Sequence, residues 1–167
     1  MTADELASII DDAGYSLPNE SAISDIETLI GSTLPEDYRA FLSLTPGGQV
    51  YGRVLFSLSG EPVGTERLSR VAGVRPEPDL SLVERFHSAN DNDVPLGLLS
   101  IMTDGGGNDI AISLRPDRFG EIFFLDHEVS GGEGSPALEE AESDDWAYAI
   151  KFASSFSELI NGFTVDR

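Results

Sequence analysis

The chain has 167 residues and carries 30 acidic against 10 basic side chains, a formal net charge of −20, with no cysteine. Such a charge repels polyanions, so it argues against nucleic acid and anionic membrane surfaces as partners and favours a basic protein. The missing thiol excludes disulfides, zinc–thiolate sites and cysteine nucleophiles, and the length suits one domain able to bury a core without staples.

Thr2-Ala3-Asp4-Glu5 has the form of a capping box, and Leu6, Ile9 and Ile10 follow at helical spacing. They predict a first helix that ends at Gly14. The opening MTADELASIIDD has no basic region and no long apolar run, so no signal peptide is expected. No stretch nears the ~20 apolar residues of a membrane helix. A soluble, cytoplasmic protein is the expectation.

A second helix starts at Ser21, with Ile23, Ile26, Leu29 and Ile30 on one face and Gly31 as its stop. A third runs through Pro35-Glu36-Asp37-Tyr38-Arg39-Ala40-Phe41-Leu42, with Pro35 at its first position and Tyr38, Phe41 and Leu42 as the buried stripe. The pair is expected to form a helical hairpin lying on a sheet. Gln49 to Leu58 reads as one strand, and Glu66 to Val74 as another. A short helix over Asp79 to His87, a polar loop at Asn90 to Asp93 and a strand over Leu98 to Met102 follow. Asp104-Gly105-Gly106-Gly107-Asn108 is a turn, and Asp109 to Leu114 alternates as a half-buried strand. Glu121 to Asp126 is apolar on both faces and suits a central strand. Gly131 to Ser143 reads as a mobile acidic surface loop and Trp146 to Ala153 as a strand. Ser155-Phe156-Ser157-Glu158 is a second capping box opening a last helix. Helices, then an antiparallel meander, then a helix make an α+β order.

The acids are blocked along the chain. Nine precede the first base, Arg39. A second block holds Glu128, Glu133, Glu139, Glu140, Glu142, Asp144 and Asp145 with no base, and Lys151 is the only lysine. Each block is either a solvated surface or a docking face for a basic protein.

Sequence signatures of chemistry are sparse. There is no P-loop, nucleophile elbow or metalloprotease helix. A cation among Asp126, His127 and either Asp104 or Asp109, a serine triad through His127, and a phosphate nest at Gly105 to Gly107 are alternatives. Local turn chemistry explains the same residues, so neither metal nor cofactor is expected.

Three segments carry a family resemblance. Ile23 to Gly48 holds Leu34-Pro35 and Gly47-Gly48. Leu98 to Glu128 holds Gly105-Gly106-Gly107-Asn108 and Ile122-Phe123-Phe124-Leu125-Asp126-His127-Glu128. The third is Ala153 to Ile160. Together they resemble the SUKH superfamily, shared by fungal cell-wall assembly regulators and bacterial immunity proteins. The resemblance implies a bent, mostly antiparallel sheet flanked by N-terminal helices and a C-terminal helix, in a single domain with no enzymatic activity. The region at about 60–95 matches least and is expected to be an insertion. The resemblance also implies an immunity protein that neutralises a cognate bacterial toxin, nucleases being prominent, or alternatively a constitutive regulatory scaffold. It implies structural roles for Leu34, Pro35, Gly47, Gly48, Gly105, Gly106, Gly107 and Asn108. The charge pattern, for its part, nominates Glu133, Glu139, Glu140, Glu142, Asp144 and Asp145 for partner binding, with Tyr51 as an anchor and Trp146 and Tyr148 as further aromatic candidates. A homo-oligomer through a sheet edge is allowed but not required.

Overall fold

The structure, a computed structural model, describes residues 1–58, 65–130, 134–143 and 147–166. Its elements are α1 (Ala3–Ala7), β1 (Ile10–Asp11), α2 (Glu20–Ile30), α3 (Glu36–Leu42), β2 (Gly48–Val50), β3 (Arg53–Ser57), β4 (Thr65–Val71), α4 (Leu82–His87), β5 (Leu98–Asp104), β6 (Asp109–Ser113), β7 (Ile122–Leu125), α5 (Leu138–Ser143), β8 (Ala149–Ala153), α6 (Phe156–Asn161) and β9 (Thr164–Asp166). The strands form one open sheet in the order β1-β2-β4-β5-β6-β7-β8, and β3 joins β4 to β9. Every pairing between these strands is antiparallel. The α+β architecture expected from the element order is the one observed.

The first capping box formed as read; in the second Ser155 caps the helix, but Glu158 accepts from Ser154 N rather than from Ser155 N. Thr2 Oγ1 accepts from Glu5 N while Glu5 accepts from Thr2 N, and Ser155 Oγ accepts from Glu158 N. Helix α2 ends on Gly31 in the left-handed conformation. Other expectations need correction. The first helix stops at Ala7, because Ile10 and Asp11 pair with Val50 and Gln49 as a strand instead. Pro35 caps α3 rather than sitting inside it. Leu29 is exposed; at 100° per residue it lies about a quarter-turn off the stripe of Ile23, Ile26 and Ile30. The expected hairpin is looser than read: α2 packs on α4, and α3 on α1 and α6.

The expected strand from Gln49 to Leu58 is two strands. Gly52, at φ +82°, turns the chain between them. Strand β2 then pairs with the far half of β4 and β3 with its near half. A bulge between Leu68 and Arg70, where β4 meets β5, accompanies that handover, and such a bulge bends a sheet. Strand β4, within the region expected to be an insertion, thus lies between β2 and β5. Residues 138–143, expected as loop, are helical because Leu138 and Ala141 are one turn apart and both buried.

The sheet is covered on both faces where β7 predicted it. One core packs Ile23, Ile26, Phe41 and Phe156 against Leu99, Ile110, Ile112 and Phe124. The other packs Leu138, Ala141 and Tyr148 against Leu98, Ala111 and Phe123. In the first core Tyr38 lies near Phe41 and Phe156, and its buried hydroxyl has no hydrogen-bond partner among the described residues. Burial of that hydroxyl holds its pKa far above the ordinary tyrosine value. An unpaired buried hydroxyl costs about 1–3 kcal/mol. Tyr38→Phe is therefore expected to unfold at the same temperature as the parent or a few degrees higher in a thermal melt. A clear loss of stability would mean the hydroxyl has a partner in solution.

Candidate binding surface

The glycine turn between β5 and β6 is filled by its own carboxylate. Asp104 is buried; its Oδ1 accepts from Gly106 N and Asn108 N, each at 2.8 Å, and its Oδ2 from Asn108 Nδ2 at 2.8 Å. Asn108 Oδ1 in turn accepts from His127 N and Nδ1, at 3.2 and 2.8 Å. Amides that could cradle a phosphate are thus already bound to an anion. Asp126 caps Glu128 N, and Asp109 faces Arg85. Asp104 and His127 are joined through Asn108, while Asp109 and Asp126 serve other partners, and no group of three metal-ligating side chains occurs among the described residues.

A cleft of about 260 Å³ lies beside this turn, lined by Arg70, Asp79, Glu84, Arg85 and Asp109 among others. Leu82 sends α4 into the core, and Arg85, one turn on, reaches over the hairpin. Its guanidinium donates to Ser100 Oγ, Thr103 Oγ1, Asp109 Oδ1 and the carbonyl of Asp79. Those bonds consume the donors of Arg85, and Arg70, the other guanidinium of the cleft, lies 3.7 Å from Asp79.

The residues nominated for partner binding fall into three groups. Glu133, Asp144 and Asp145, with Trp146, lie outside the described residues. On α5, Glu139 pairs with Arg115 at 2.6 Å and Glu142 with both terminal nitrogens of Arg118. Arg115 also holds Asp117, Arg118 also holds Glu121, and Lys151 reaches Glu121 at 2.5 Å. Glu140 is exposed and joins none of these pairs. The third group is Tyr51, 62% exposed in the bend before β3, its hydroxyl donating to Asp11 Oδ2 at 2.8 Å. Tyr51 follows β2, near one end of the strand order, and α5 packs on β8 at the other. Tyr148 is a core residue whose hydroxyl donates to the carbonyl of Asp93.

The α5 latch has a pH signature. The Arg115 guanidinium holds the Glu139 carboxyl down at about 2, below its ordinary 4.5. A depressed folded-state pKa adds stability that is present above the unfolded value and lost as pH falls through the folded one. Glu139→Gln is therefore expected to be less stable than the parent at pH 7, with the gap closing between about pH 4.5 and pH 2. Urea unfolding at pH 7, 4 and 2 reads it; a gap independent of pH would contradict the pairing.

Among the described residues, a larger acidic surplus sits on the helices. Helices α1, α2, α3 and α6 carry Asp4, Glu5, Glu20, Asp25, Glu27, Glu36, Asp37 and Glu158 against one base, Arg39. Helix α1 touches α3 and α6, and α3 touches α6. Arg39 grips Glu20 at 2.5 and 2.9 Å and lies 3.3 Å from Glu27, tying α3 to α2. Asp37 Oδ2 accepts from Ser157 N at 2.8 Å, tying α3 to α6. The helical layer is thus a contiguous surface with a large acidic surplus. The sequence shows both acidic blocks but not that Arg115 and Arg118 pair with Glu139 and Glu142 of the second, since each of those pairs closes over 24 residues.

No curated protein matches the chain. Among the described residues no helix is long and apolar enough to cross a membrane. A family model, SMI1 / KNR4 family (SUKH-1), matches residues 17–162, a span that contains the Leu34-Pro35 cap, the Gly47-Gly48 loop, the filled glycine turn and the capped last helix. The chain belongs to the SMI1/KNR4 family (SUKH-1), consistent with a non-enzymatic protein-interaction domain.

Proposed function

We propose that the protein is a cytoplasmic immunity protein that neutralises a cognate bacterial toxin by covering a basic face, such as the nucleic-acid site of a nuclease. The observation that carries this reading is the helical layer, with eight acids against one base in an interaction-domain family. The whole surface of 8416 Å² averages about one excess charge per 400 Å². A standard interface of about 800 Å² per partner would then meet only two. Concentration on one layer raises that number and speeds encounter more than it deepens affinity.

Co-expression with the product of the adjacent gene tests the reading: growth is restored if that product is a toxin and this chain its antidote. Binding is expected to weaken as salt rises from 50 to 500 mM, with the association rate falling about tenfold. Affinity independent of salt would count against electrostatic occlusion. The pairing of Glu139 and Glu142 on α5 with Arg115 and Arg118 supports a second reading, a constitutive regulatory scaffold whose acidity serves solubility; under it the neighbouring gene product has no effect on growth.

A further inference from the structure

A groove of about 510 Å³ opens between α3, the 115–120 turn and Ser154-Ser155, just before α6. Pro35, Ala40, Phe119 and Gly120 line its apolar floor, with Glu36 and Asp37 also in its wall. Phe119 is 44% exposed, so part of its ring faces the groove and is open to a partner. The turn that carries it is fixed: Gly120 N donates to Ser113 O, and Gly120, at φ +85°, lies against Pro35. Arg115 and Arg118, the cations of that turn, are held by Asp117, Glu139, Glu121 and Glu142. Glu36 and Asp37, with the rest of the helical layer, therefore set the field over the groove. Glu36 is exposed and joins no ion pair among the described residues.

We infer that this groove seats an arginine-bearing segment of a basic protein partner, the guanidinium stacked on Phe119 and paired with Glu36. The inference rests on the binding function proposed above and names its contact point. A guanidinium suits such a site because it is planar, weakly hydrated and forks toward a carboxylate while lying on an aromatic face. Its aliphatic stem covers apolar floor that would otherwise meet water. A desolvated anchor ringed by charge is how a small part of an interface supplies most of its affinity. A second copy of this chain is a poor occupant, because two bodies of charge −20 repel.

The test titrates the full chain, labelled with nitrogen-15, with a hexa-arginine peptide and with hexa-lysine. Amide shifts are expected to concentrate at 36–40, 119–120 and 154–155. Phe119→Ser and Glu36→Lys should each weaken hexa-arginine about tenfold, and Glu140→Lys on α5 by less than about twofold. Hexa-lysine should bind less tightly and lose little with Phe119→Ser. Both substituted positions are exposed, and unchanged melting curves would show that the fold persists. Shifts spread evenly over the acidic surface, or full affinity in Phe119→Ser, overturn the assignment, as does a dimer of the parent that Phe119→Ser abolishes. Failure here is separable from failure of the immunity reading. Growth rescue that survives both substitutions removes the groove and leaves the function. Groove-specific arginine binding without rescue by the parent chain leaves the groove and removes the function.

Discussion

Gly47→Ala is expected to lower the unfolding free energy by about 3–4 kcal/mol, and Gly52→Ala by about 1 kcal/mol. The two glycines share a backbone conformation, φ +84° and +82°. Both therefore bear the same conformational penalty when a Cβ is added. They differ in surroundings. A Cβ on Gly47 would lie 2.8 Å from Gly73 N and 2.8 Å from Val71 O, whereas a Cβ on Gly52 meets nothing within 4 Å. The extra 2–3 kcal/mol is the cost of pushing one backbone off another, which no rotamer can relieve. Gly73 faces the same contact from the other side, since its own Cβ would come 2.3 Å from Pro46 O. Urea unfolding of the two variants measures the difference directly. Equal losses would mean that the 46–48 loop is not seated on the strand-end backbone at 71–73. The structural role that the family resemblance implies for Gly47 thus has a steric cause.

The features legible in the sequence are those whose partners are close along the chain. The Thr2 capping box, the Ser155 cap, the Gly31 stop and the Asp104–Asn108 turn each close within four residues, so type and spacing reveal them. Strands β1 and β9 were invisible for the converse reason. Two or three residues have no periodicity, and each exists only because an edge of the sheet lies beside it, β2 for one and β3 for the other. The break at Tyr51-Gly52 has no sequence signature, because a continuous apolar run hides a bend that β4 imposes from outside. Helix α5 looked like loop because its acids outnumber its apolar residues; Leu138 and Ala141 suffice only because the second face of the sheet is there to receive them. The candidate surface was legible as charge alone. Phe119 gave no signal, since a single phenylalanine in a turn predicts nothing until α3 and α6 are placed on either side of it. Arg75 was equally silent, one arginine among nine.

That residue carries the second large expected effect: Arg75→Met should cost about 3 kcal/mol. The Arg75 side chain is only 3% exposed. Its Nη1 donates to the carbonyls of Asp12 and Gly47, each at 3.1 Å, and Nε and Nη2 grip Glu77 at 3.0 and 2.7 Å. Its guanidinium lies 4.2 Å from the centroid of the Tyr15 ring. One side chain thus joins the turn after β1, the seated 46–48 loop and the 75–77 segment. Methionine fills similar space but donates nothing, leaving two carbonyls without their donor. Lysine should recover only part of the loss, because one ammonium cannot serve two carbonyls and a carboxylate fork together. The pH dependence separates the contributions. Arg75 holds the Glu77 carboxyl at about 2, below its ordinary 4.5, so that share of stability is present above about pH 4.5 and is lost as pH falls toward 2. The carbonyl bonds do not titrate. The gap between parent and Arg75→Met, followed by urea unfolding from pH 6 to pH 2, should therefore shrink without closing. A gap that closes completely would assign the whole effect to the ion pair, and a constant gap would show that Glu77 is not coupled to Arg75.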